Sequence, residues 1–261
     1  REGVGLLGSP SMEISRGVER DAVSERFRGP DALRRRLADK NRHNLVTMGL
    51  YLLARWAHLF GIALLAAAAA VLYDTLGAWA IALDTVLSVV FTVAYFVLVE
   101  RAVTALYPVR PLYCSIYDLR FWEHERYWKA SEINYLPLFN GTPFRNLINR
   151  MLGVRIGRRV FDDGCFLTEK TLVTIGDDCT LNAGSKIQCH SQEDGFFKSD
   201  SSTIGAGCTI GIGALVHYGV TMGEGAVLAA DSFLMKGEDV PPQARWEGNP
   251  ALDKVGAVIQ R

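Results

Sequence analysis

An excess of either charge is missing from this chain. Its 28 lysines and arginines balance 28 aspartates and glutamates, leaving a formal net charge of zero over 261 residues. A nucleic-acid-binding protein needs a basic field to neutralise phosphates, so this balance argues against a nucleic-acid partner. Cysteine is also scarce. The five cysteines, at 114, 165, 179, 189 and 208, form no short CxxC pair, so neither a zinc site nor a disulfide framework is indicated. A metal site built from His190 and His217 would lack further ligands, because the other histidines lie upstream at 43, 58 and 124. The sharpest absence is local. No lysine or arginine occurs between Trp56 and Val99, whereas Arg34, Arg35, Arg36, Lys40 and Arg42 crowd the stretch just before.

Around the interval from Trp56 to Val99 lie two long apolar runs, Leu50–Tyr73 and Ala78–Leu98, with Asp74, Thr75, Leu76 and Gly77 between them. Each is long enough to cross a bilayer core, which takes roughly 20 residues. A soluble helical hairpin would show a polar stripe, and these runs show none. Residues 45–107 are therefore expected to form a transmembrane helical hairpin. Basic residues flank both outer ends and avoid the short turn, which places both ends in the cytoplasm of a multi-pass cell-membrane protein. Arg55 and Asp84 lie near span ends, where long side chains snorkel to the interface. Before the hairpin, residues 1–44 are polar and basic, with a short helix expected over Asp31–Lys40. After it, residues 108–150 are rich in aromatics, including Tyr113, Phe121, Trp122, Tyr127 and Trp128. They read as a connector packing on the membrane, on the next domain or on both, with Tyr135–Phe144 expected to be extended.

The last part of the chain, residues 151–261, has a period of six. Ile204, Ile210, Val216, Met222, Leu228, Leu234, Val240 and Trp246 fall at this interval, and Ile175, Leu181 and Ile187 share it. Four positions after most of these comes a small residue, as at Cys179, Ser185, Cys208, Ala214 and Ala226. Glycine often follows the apolar residue directly, as at Gly176, Gly205, Gly211 and Gly223, and is expected to relieve a strained corner. A strand would alternate with period two and a helix with 3.6. A six-residue period instead describes a triangular coil, a left-handed parallel β-helix whose stacked turns bury a continuous core. Cys179 and Cys208 take the small-residue slot and so read as structural thiols.

The step from Ile187 to Ile204 breaks the period, and a loop at about Gln188–Ser202 must leave the coil. It concentrates His190, Glu193, Asp194, Lys198 and Asp200. Histidine is the natural general base near neutral pH. His190 is therefore the candidate catalytic base, with Glu193 or Asp194 fixing its ring tautomer. Asp200 and Lys198 are candidate substrate-binding residues. So is His217, which follows Val216 where neighbouring hexads carry glycine.

Residues 187–251 resemble the hexapeptide xenobiotic acetyltransferases, including the chloramphenicol-modifying type. The matching segments are His190 with Asp194-Gly195, Gly219-Val220-Thr221-Met222-Gly223, Val240-Pro241-Pro242 and Gly248-Asn249-Pro250-Ala251. The loop histidine of that family is its catalytic base, and His190 matches it; one extra residue separates it from Asp194-Gly195. Over nearly its whole length the chain is similar to the C-terminal region of ε-poly-L-lysine synthetases and related nonribosomal poly-amino-acid synthetases. That similarity rests on Tyr117–Trp122, Phe139–Phe144, Arg159–Gly164 and Cys189–Gly195, together with the preceding hairpin. It implies a membrane-anchored acyltransferase that moves an aminoacyl group from a thioester to an amine, possessing no bound cofactor of its own. The thioester would be carried by phosphopantetheine on a carrier protein or by coenzyme A, and free lysine or a growing polymer end would supply the amine. Glu193, Asp194 and Asp200 suit such a cation. Leu6-Leu7-Gly8-Ser9-Pro10 echoes Trp246-Glu247-Gly248-Asn249-Pro250, as if residues 1–12 were the last corner of a preceding β-helix. Neighbouring copies would then assemble a trimer or pseudo-trimer. Two rival readings are a stand-alone acetyl-coenzyme A-dependent acetyltransferase and a non-catalytic scaffold within a larger synthetase.

Overall fold

The computed structural model describes residues 5–7, 12–14, 30–131, 134–193 and 195–253. Asp194, one of the candidate site residues, lies outside the described residues. The first helix, α1, runs unbroken from Pro30 to Leu76 over 47 residues. The short helix expected before the first apolar run is therefore not separate. Residues 31–48 contain no proline or glycine, and good helix formers carry the backbone straight through. Helix α2 follows at once over Ala78–Leu106, and Gly77, with φ 56°, makes the reversal between them. Both are long and apolar enough to cross a membrane. Their contact is close at Gly61, where a Cβ would overlap the ring of Phe91.

Helix α3, Leu119–Ala130, starts at Asp118, whose carboxylate accepts the Arg120 N–H at 2.9 Å. It is wedged between the long helices and the repeat region. Lys40 of α1 pairs with Glu125 at 3.3 Å, and Arg126 Nε donates to Thr47 Oγ1 at 3.0 Å. The next stretch is not extended as the sequence suggested. Leu136–Phe139 forms a 3₁₀ turn, and Pro143–Met151 forms helix α4. Pro137 and Pro143 sit in the first turn of each element, where the missing N–H costs nothing and the fixed φ favours helix.

From Arg155 onward the chain coils through three parallel sheets. One contains Arg155–Ile156, Val173–Ile175, Ser202–Ile204, Thr221–Met222 and Asp239–Val240. The second runs from Phe161–Asp162 to Arg245–Glu247, and the third from Phe166–Leu167 to Phe233–Leu234. Ile204 aligns with Met222, Ile210 with Leu228 and Val216 with Leu234, so the hexad column of the sequence is the inward column of each face. These side chains are almost wholly buried, and Cys179, Cys208, Ala214 and Ala226 close the corners between walls.

Glycine's part in the corners differs from expectation. Gly205 and Gly211 are not at positive φ. They are glycine because backbone of the next coil passes too close for a Cβ. The left-handed corner comes two residues later, at Gly207, Gly213, Gly219, Gly225 and Gly237, with Asp231 and Gln243 taking the same conformation. In the first coil, Asp162 occupies the inward column opposite Leu181. Its carboxylate is satisfied by Arg145 and Asn149 of α4 and by the N–H groups of Gly164 and Cys165.

The interruption after Ile187 is a β-hairpin, His190–Glu193 paired with Phe196–Ser199. The connector strand Leu112–Ser115 adds to its edge and makes a three-stranded antiparallel sheet. Phe197, Phe121, Trp122 and Cys114 form a small buried core that fixes this hairpin against α3.

Candidate active site

His190 stands at the base of that hairpin, beside the corner at Thr168 and Glu169. Its Nδ1 lies 2.7 Å from Glu169 Oε1. Glu169 follows the third-sheet strand and precedes a short 3₁₀ turn, Lys170–Leu172, and is wholly buried. Oε1 also accepts Trp128 Nε1–H at 2.7 Å and faces His124 Nε2 at 3.2 Å. Oε2 accepts the Cys189 N–H at 3.1 Å and the hydroxyl of Thr168. Burial opposes ionisation of this carboxyl. The hydrogen bonds from His124 and His190, the charge of His190 and the Thr168 hydroxyl outweigh it, and Glu169 is held well below the usual carboxylate range.

An ionised acceptor fixes the histidine. With a carboxylate at Nδ1, the neutral ring carries its proton there, and Nε2 keeps the lone pair. Trp128 packs on the ring at 4.5 Å between centroids, and Phe197 stacks at 5.9 Å. The ring lines a cavity of about 300 Å³ shared with Trp128, Ser131, Phe166, Leu167 and Thr168. A ring so held, with one nitrogen anchored and the other unbonded among the described residues, is built to take and return a proton.

Of the sequence-level candidates, the structure brings His190 to this point but not its expected partner. Glu193 lies three residues along a strand, so its side chain leaves the opposite face of the hairpin. There it accepts Lys236 Nζ at 2.7 Å. The carboxylate that meets the His190 ring is Glu169 instead. Lys198 shares the Glu193 face and lies over the Tyr113 ring at 5.2 Å, away from the His190 ring. Asp200 is exposed, and one of its oxygens accepts the Ser201 N–H at 2.7 Å.

His217 sits half-buried one coil further on. Its Nδ1 accepts the N–H of Tyr218 at 2.9 Å, so Nε2 carries the proton of the neutral ring. Burial, then the Lys236 charge, lower its pKa to about 4. It is a neutral donor rather than a base.

The thiols of the region are inert by environment. Burial pushes Cys189, next to His190, up to about 12 and Cys165 likewise, and Cys179 to about 11. No group of three or more metal-ligating side chains occurs among the described residues.

Glu169 was invisible in the sequence, because it falls between hexads where the period is broken. The same turn holds a second buried charge. Lys170 Nζ lies 2.8 Å from both oxygens of Glu100 on α2 and 2.8 Å from Ser131 Oγ. Tyr127 OH donates to Glu100 at 3.2 Å. Neighbouring residues of the turn thus reach in two directions, one to the imidazole and one to the second long helix.

Comparison with known proteins agrees with the repeat. Residues 202–236 match the model of the hexapeptide repeat of succinyl-transferase. The chain is 34% identical over 119 residues to the Delta-poly-L-ornithine synthetase of Acinetobacter baumannii, covering 46% of this chain and 9% of that protein. It is 31% identical over 107 residues to a protein of Schizosaccharomyces pombe named as an acetyltransferase, covering 38% and 50% of the two. The chain thus spans half or less of the length of these relatives. A crystal structure of a hexapeptide-repeat-containing acetyltransferase of Vibrio cholerae, complexed with acetyl coenzyme A, aligns at TM-score 0.40 and 22% identity over 46% of this chain and 81% of that one.

Proposed function

We propose that this chain is a membrane-anchored acyltransferase in which His190 is the general base for amide formation from a thioester. The observation that carries the reading is the His190–Glu169 contact beside an open cavity. Helices α1 and α2 would cross the bilayer, with the coil, taken as left-handed from its six-residue period, on the cytoplasmic side. The donor would be an aminoacyl group on phosphopantetheine, from a carrier protein or coenzyme A. The similarity to a poly-ornithine synthetase favours a basic amino acid as the acceptor amine.

In the reaction, the amine approaches in its neutral form and its nitrogen attacks the thioester carbonyl. His190 Nε2 takes the N–H proton as the C–N bond forms. The ring then holds one proton on each nitrogen, and the Glu169 carboxylate at 2.7 Å stabilises that cation. Collapse breaks the C–S bond, and the proton passes from Nε2 to the departing thiolate. His217, neutral with Nε2–H available, is suited to hold a carbonyl oxygen of donor or acceptor. Asp200, which is exposed, would draw a cationic acceptor toward the hairpin, whereas Glu193 is paired with Lys236.

Copies of the coil would pack as a trimer or pseudo-trimer. One observation supports tandem copies: Leu6 pairs with Glu13 and Leu7 with Met12 in the same antiparallel register as Trp246 with Asp253 and Glu247 with Leu252. Purified single-chain particles that hold only one isolated prism would refute the assembly.

The test is amide formation from a carrier-loaded aminoacyl thioester by the full protein in membranes. His190→Ala should lower turnover by about a hundredfold or more with thioester loading intact. Unchanged turnover would remove His190 from the reaction and favour the scaffold reading. Equal turnover with acetyl-coenzyme A and no aminoacyl transfer would favour the stand-alone acetyltransferase, which the acetyltransferase-named relative supports.

A further inference from the structure

Helix α4 is amphipathic in the wrong sense for a surface facing water. Arg145, Asn146 and Asn149 are buried, whereas Arg150 at the edge of the outer face is exposed. Arg145 Nη2 donates to the Cys165 carbonyl at 2.9 Å, Asn146 Nδ2 to the Val160 carbonyl at 2.5 Å, and Asn149 Nδ2 to Asp162 Oδ2 at 3.1 Å. Its apolar residues other than the buried Ile148 point outward. Phe144 is 61% exposed, Leu147 51% and Met151 42%, and Leu138 of the preceding turn is 66% exposed. Phe144, Leu147 and Met151 have the spacing of one helical face.

That face continues the outer surface of α2. Leu136, Ile148 and Leu152 pack on Val97 and Val93, and Tyr135 stacks on Phe96 at 6.0 Å. Higher up, Leu138 and Phe139 line a cavity of about 320 Å³ with Ser88, Val89, Thr92 and Val93. All these α2 residues belong to its apolar run, which holds no lysine or arginine and a single carboxylate, Asp84. At about 1.5 Å per residue, Val89 lies roughly 13 Å along the axis from Leu98, where that run ends. Helices that rest in a bilayer interface sink by about 5–10 Å, which is a comparable depth.

We propose that α4 and the Leu136–Phe139 turn form a lipid-binding face, immersed in the acyl-chain boundary of the leaflet on the coil's side. The occupant is lipid chain. The buried polar side of α4 ties the first coil, through Asp162 and the carbonyls of Val160 and Cys165, to that immersed face. The coil is therefore held flat against the membrane at its N-terminal end, not merely tethered by α1 and α2. This inference rests on the membrane-spanning reading of the two long helices.

The test uses the full chain in nanodiscs of phosphatidylcholine and phosphatidylglycerol, with and without brominated acyl chains. Leu147→Cys carries an environment-sensitive fluorophore. The five native cysteines are buried and leave little background. Val86→Cys on α2 and Ile212→Cys on the coil, 60% and 61% exposed, serve as controls. Brominated lipid should extinguish fluorescence at positions 147 and 86 and leave 212 unchanged. Quenching at 86 with none at 147 overturns the lipid face and leaves the hairpin reading standing. Absence of quenching at 86 defeats the membrane reading, and this inference with it. A second copy covering α4 would also appear as loss of quenching at 147 alone.

Discussion

Glu169 Oε1 lies 2.7 Å from His190 Nδ1, and the same oxygen takes Trp128 Nε1–H. One buried carboxylate thus fixes both the tautomer of the imidazole and the indole that packs on it.

Replacing Glu169 by glutamine keeps the shape and removes the charge. The amide can present N–H to Nδ1, which moves the ring proton to Nε2 and eliminates the base. Turnover should fall by about 10²- to 10⁴-fold, the usual contribution of general base catalysis. Steady-state amide formation with loading and folding checked in parallel would decide it. Near-wild-type turnover in Glu169→Gln would show that the carboxylate does not orient the base.

Acid should destabilise the fold in two separate ranges. His217 has a pKa of about 4, against the ordinary imidazole value of 6.5. The unfolded chain therefore binds a proton that the folded one refuses, so this contribution is complete above about 6.5 and is lost as pH falls toward 4. His217→Gln should flatten the stability curve over that window. Glu169 is depressed from a value of 4.5, so its contribution is full above 4.5 and fades only at stronger acid. Denaturation midpoints measured between pH 7 and 4 would test the His217 assignment, which fails if the mutant and wild-type curves stay parallel.

The Glu100–Lys170 pair is buried on both sides, at 1% and 2% side-chain exposure. Lys170→Met leaves the Glu100 carboxylate buried without its cation and should cost about 3–5 kcal/mol. Replacing both partners by apolar residues should recover much of that loss. Unfolding in detergent of the two single mutants and the double mutant would measure it. Additive losses would mean that the pair is not coupled.

None of the cysteines should be needed. Cys114 is pushed up to about 11 and Cys189 to about 12 by burial, so little thiolate exists at neutral pH. Folded protein should resist N-ethylmaleimide and keep its activity, and Cys189→Ala should turn over normally. Rapid inactivation with modification of Cys189 would point to a covalent thioester route instead.

The sequence displayed the repeat because each inward residue from Ile204 to Trp246 is apolar and six apart. The first coil was hidden, since Asp162 takes an inward place normally held by an apolar residue and draws its partners from α4. The hairpin at His190 was legible as a break in the period. Its carboxylate partner was not, because the contact joins Glu169, in the turn after Leu167, to His190 at the base of a hairpin 21 residues further along the chain. Glu193, close in sequence, is separated by the alternation of a strand. Spacing along the chain singled out His190 as a candidate base, and only the stacking of coils brought Glu169 against it.

The Lys170 ammonium has a consequence for portability. Its only counter-charge among the described residues comes from Glu100, on α2. A coil cut away from its two helices would lose that counter-charge next to the carboxylate that contacts His190. The repeat region therefore draws on α2 for its charge balance. Wherever this coil is transplanted, the helix that bears Glu100 has to travel with it.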